Sequence, residues 1–102
     1  MQAWREAAKP SNEDEKAGYI AYQDFYNYAK WLNEGLGLIG EQFKFAGVLL
    51  DGSWESFGRL MEKASQSLVA TKSGEVKVSF EKMGLSIQEG LNLAAEASNK
   101  GM

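Results

Sequence analysis

The sequence predicts an all-α fold: a small bundle of three to four helices, or one long kinked helix folded back as a helical hairpin. Three observations carry this expectation. Proline occurs once, at Pro10. β-Branched residues are few, and strict alternation is confined to Val76-Lys77-Val78-Ser79-Phe80. Helix formers fill most of the remainder, with apolar residues recurring at spacings of three and four. A chain of 102 residues is the size of one domain, here 1–102, with 1–11 as a short N-terminal arm carrying Trp4.

The elements follow in order. Pro10 ends the arm. Ser11-Asn12-Glu13-Asp14 then reads as a capping box, its acids set against the positive end of a helix dipole. From that cap a helix is expected to run to about Glu34, with Tyr22, Phe25, Tyr26, Ala29 and Leu32 on one face. Tyr19 and Tyr28 widen the face, and Trp31 lies beyond its edge. After Gly35-Leu36-Gly37-Leu38-Ile39-Gly40 the pattern predicts a second helix to about Leu50. It has two apolar sides, one through Leu36, Ile39, Phe43, Ala46 and Leu50, the other through Leu38, Phe45 and Leu49. Asp51-Gly52-Ser53 signals a turn. An amphipathic helix follows through Trp54, Phe57, Met61, Ala64 and Leu68, closed by Gly74. The last helix spans about 75–99, with Val76, Phe80, Met83, Ile87, Leu91 and Ala94 as a narrow seam, and a short strand is the alternative for its alternating start. A seven-residue repeat also links Tyr22, Ala29, Leu36, Phe43, Leu50, Phe57 and Ala64, which supports the single long helix over 11–71.

Composition narrows the chemistry. There is no histidine and no cysteine, so imidazole bases, thiolate nucleophiles, disulfides and the usual zinc sites are excluded. The net charge of −3 and scattered Lys and Arg argue against nucleic acid as a partner. The most apolar stretch, 36–50, is interrupted by Glu41, Gln42 and Lys44 and is too short to span a bilayer. Gly35-x-Gly37-x-x-Gly40 spells a dinucleotide fingerprint, but it follows a helical pattern instead of a strand. Asp51, Ser53, Glu55 and Glu62 mimic a calcium loop, yet Ser56 stands where the loop needs glycine. Ser79-x-x-Lys82 has no companion elements. Every carboxylate falls on a polar face or in a turn, outside the apolar stripes.

Acidic, about one hundred residues long, without cysteine and with Trp54 beside a mid-chain turn, the chain resembles the small secreted helical-hairpin proteins named for a W-x-G turn. That resemblance implies a two-helix hairpin. Two departures stand against it: the next glycine after Trp54 is Gly58, and no tyrosine follows Tyr28 to form the family's C-terminal tyrosine–acid pattern.

These readings lead to a non-enzymatic structural or interaction protein, acidic and self-assembling, with another protein as partner and a second copy of the chain foremost. No cofactor or metal is expected. A membrane-active helical hairpin is the alternative. The candidate interface residues are Tyr19, Tyr22, Phe25, Tyr26, Tyr28, Trp31, Leu38, Phe43, Phe45 and Leu49.

Overall fold

The computed structural model describes residues 18–72 and 74–100. The N-terminal arm and the Ser11 capping box lie outside the described residues. The chain runs β1 (Tyr19–Ile20), α1 (Tyr22–Ile39), β2 (Phe43–Phe45), β3 (Val48–Leu50), α2 (Trp54–Ser65), β4 (Leu68–Ala70), β5 (Val76–Ser79), α3 (Phe80–Met83) and α4 (Ile87–Lys100). Two antiparallel sheets accompany the helices: a three-stranded sheet in the order β1-β5-β4, and the β2-β3 hairpin. The fold is therefore mixed α and β. The expected all-α bundle, the single long helix and the helical hairpin are all overturned.

Each correction has a local cause. α1 does not stop near Glu34; it continues through Gly35 and Gly37 because Leu36, one turn further, is buried. It ends at Gly40, whose left-handed backbone (φ 69°) supports a C-cap, with the Glu41 amide donating to the Leu36 carbonyl at 3.0 Å. Residues 43–50, expected as a two-sided helix, form a hairpin instead. Phe43 pairs with Leu50, Lys44 with Leu49, and Phe45 with Val48. The two central turn residues, Ala46 and Gly47, both have positive φ (52° and 78°), as a type I′ hairpin turn requires. The Lys63 ammonium on α2 donates to the Ala46 carbonyl and holds this turn against the body of the protein. Phe43, Phe45, Val48 and Leu50 share one face of the hairpin, so the apolar period is two here and not seven.

The C-terminal half is corrected in the same way. α2 ends at Ser65, and the buried Ser67 hydroxyl turns back to the Lys63 carbonyl at 2.7 Å. Leu68–Ala70 then pairs with Val76–Ser79. The alternating segment from Val76 is a strand, and it is the central one, flanked by β1 and β4. Ser79 and Ser86 cap the helices that follow through the amides of Lys82 and Glu89. Gly84, left-handed at φ 83°, separates α3 from α4, so the expected helix over 75–99 is a strand and two helices.

One core joins these parts. α1 packs against α2 and α4, and Phe25, Leu50, Leu60, Val78, Phe80 and Met83 are fully enclosed among them. Phe80 explains Gly90: a Cβ added at Gly90 would stand 2.0 Å from the Phe80 ring. Gly90→Ala is expected to lower stability by about 3 kcal/mol, since a buried ring has nowhere to go. Urea unfolding measures this, and Phe80→Leu in the Gly90→Ala background should recover part of the loss.

Candidate functional site

Asn33 sits on the inner side of α1, almost wholly buried, and organises the start of α2. Its carboxamide oxygen accepts from the Gly52 amide at 3.0 Å and lies 3.0 Å from the Ser56 hydroxyl. Its amide nitrogen donates to the Ser53 carbonyl at 3.0 Å. Ser53 in turn caps α2 by accepting from the Ser56 amide at 3.1 Å. Two glycines let the backbones come this close. A Cβ on Gly52 would fall 2.3 Å from the Gly37 Cα, and Gly52 is left-handed at φ 87°. Gly37 thus serves close backbone approach, between helix and turn, and the residues leading into it are helical, where the nucleotide-binding motif needs a strand. The resemblance to a calcium loop also ends here, because residues 54–62 are helical and Asp51 accepts from the Ser53 amide at 2.9 Å. Asn33→Leu would take away the acceptor of the Gly52 amide, while the Ser53 carbonyl would still accept from the Ser56 hydroxyl and the Phe57 amide. The substitution should cost about 2–3 kcal/mol by chemical denaturation.

The joint fixes which side of α1 faces outward, and the aromatic residues divide accordingly. Phe25, Tyr28, Trp31, Phe43 and Phe45 come together. Ring centres lie 6.4 Å apart for Phe25 and Phe45, 6.1 Å for Tyr28 and Phe45, 5.7 Å for Tyr28 and Trp31, and 6.5 Å for Phe43 and Phe45. Phe25 is the buried foot of this row, Tyr28 and Phe45 are half-buried, and Trp31 and Phe43 emerge at 44% and 50% exposure. Leu38 stands seven residues beyond Trp31 on the same side of α1 and is 88% exposed.

The other expected interface residues are placed elsewhere. Tyr26 meets Phe57 edge-on at 5.3 Å, on the α2 side. Tyr19 is in β1 opposite Ser79, Tyr22 opens α1, and Leu49 faces outward on the hairpin beside Lys44. Ile39, Trp54, Val76 and Ile87, expected on apolar stripes and not among the interface candidates, are all exposed. Each is the first or last residue of its element, where an apolar stripe runs past the neighbour that would cover it.

Among the described residues, three groups have displaced titrations. Asp24 on α1 is raised by burial, with Lys77 of β5 opposing the shift. It is a carboxylate that the helical stripes placed in the open. Tyr28 is raised by burial and by Glu96 of α4. Asp51 is lowered by hydrogen bonds from Ser53, then from Ser56, and by the charge of Arg59. A lowered carboxylate stabilises the fold above the unfolded value, near pH 4, and that contribution is lost as pH falls through the folded value. The stability difference between wild type and Asp51→Asn should therefore shrink below about pH 4 in acid titrations followed by circular dichroism.

Among the described residues no cluster of Asp and Glu could hold a metal ion. No described helix is long and apolar enough to cross a membrane. Comparison with protein-family models, with curated proteins and with solved structures finds no match for this chain.

Proposed function

We propose that this chain is a non-enzymatic interaction protein whose working surface is the outer side of α1 together with the β2-β3 hairpin. The observation that carries the reading is the aromatic row from buried Phe25 through Tyr28 and Phe45 to exposed Trp31 and Phe43. Rings anchored at one end and open at the other present large, rigid apolar area at little entropic cost, as protein interfaces favour. Leu38 and Ile39 extend the same surface along α1. Leaving such side chains in water gains a monomer nothing, whereas burial against a partner is worth about 25 cal/mol per Å² before the costs of association.

The membrane-active helical hairpin loses its basis, because it requires 36–50 as one helix and these residues end α1 and form the hairpin. Position-specific photo-crosslinking tests the proposal in cells producing the protein. A benzophenone side chain at position 31 or 43 should give protein adducts, while one at exposed Gln88 on α4 should not. Equal labelling at all three positions, or none at 31 and 43, would contradict it.

A further inference from the structure

Gly35 is an exposed glycine in the interior of α1, and nothing among the described residues accounts for it. Gly37 is needed against Gly52 and Gly40 forms the C-cap, but a Cβ added at Gly35 would meet nothing within 4 Å. A helix-interior glycine is less stable than alanine. Its surroundings are specific: Trp31 lies one turn before it, and Leu38 and Ile39 lie one turn after. Side chains on a helix lean toward its N-terminus, so a larger residue at position 35 would lean toward the indole of Trp31. With glycine there, the surface has a knob and, beside it, a notch.

We infer that the partner of this surface is a second copy of the chain, docked through antiparallel α1 helices about a two-fold axis at the level of residue 33. This rests on the interface reading above and names its occupant. In that register Trp31 of each copy lies opposite Gly35 of the other, and Leu38 lies opposite Tyr28. Lys30 falls within about 3 Å along the axis of Glu34 of the second copy, on the flank the two helices share. Opposite charges thus meet twice, once on each side of the dyad. Exposed Trp31, Leu38, Ile39 and Phe43 offer roughly 500 Å² of apolar surface per copy. A standard interface buries about 800 Å² per partner, and the polar side chains Asn27, Lys30, Glu34 and Gln42 make up the remainder. Contact of this size and polarity places the expected dissociation constant at about 1–100 µM.

Sedimentation equilibrium of the full chain from about 1 µM to 1 mM tests the inference. The mass should rise from monomer to dimer. Gly35→Ala fills the notch and removes a helix-breaking residue, so it should raise the melting temperature of the monomer yet weaken the dimer at least tenfold. Lys30→Glu and Glu34→Lys should each weaken the dimer, and the double exchange should restore it. Trp54→Ala, on the more exposed indole of α2, should leave the dimer unchanged. A chain that stays monomeric throughout overturns the second copy as partner; the interface reading then survives only if crosslinking at positions 31 and 43 captures a different protein. A dimer indifferent to Gly35→Ala and to the charge reversals, or lost with Trp54→Ala, overturns the α1 geometry.

Discussion

The rest of the molecule depends on the joint between Asn33 and the Gly52-Ser53 turn. Here the middle of α1 is pinned to the start of α2 by three hydrogen-bond contacts of one buried carboxamide. Once that contact is made, the rotation of α1 about its axis is fixed. Phe25, Ala29, Asn33 and Leu36 must face inward, and Trp31, Gly35 and Leu38 must face out. A leucine at this position supplies no hydrogen-bonding group and could not select this one orientation. The Gly37–Gly52 contact makes the joint possible, since a Cβ at Gly52 would fall 2.3 Å from the Gly37 Cα and force the turn away from α1.

Around this joint the chain alternates short strands with helices, and helical periodicity hid the strands. Phe43 and Phe45 occupy positions that fit both a seven-residue repeat and a strand pair, and a three-residue strand is too short for period two to show against period three or four. The cue that could have decided it was Gly47 between two short apolar runs, although the turn residue before it is alanine, which sequence rules do not place at positive φ. The second missed sheet had a clearer signal. Val76-Lys77-Val78-Ser79 alternates, and Gly74 stands just before it as the end of a hairpin loop, not as the cap of a helix. β1 and β4 could not be read at all, because two or three residues carry no pattern of their own and are strands only through pairing with β5.

What was legible was local. The turn at Asp51-Gly52-Ser53, the one-sided stripe of Phe57, Met61 and Ala64, and a helix carrying Tyr22, Phe25 and Ala29 on one face are present, but that helix starts at Tyr22 and not at the Ser11 cap, with Tyr19–Ile20 before it a strand. The candidate surface was legible in part for the same reason. Tyr28 and Trp31 fall on the outer half of α1 by helical geometry alone, whereas the meeting of Tyr28 with Phe45 depends on a hairpin that the periodicity concealed. Trp54 shows the converse: its spacing places it on the core stripe, but as the first residue of α2 it projects beyond the core and is 74% exposed, stacked on Phe57 at 5.6 Å.

The central proposal is that a second copy of the chain covers the outward face of α1. Its most direct test is the fluorescence of Trp31 alone, in a chain carrying Trp4→Phe and Trp54→Phe. The indole is half in water in the monomer, so its emission should shift to the blue, and its quenching by iodide should fall, as protein concentration rises through the micromolar range. An emission spectrum and quenching constant that stay the same from the lowest concentration to the highest would contradict the account.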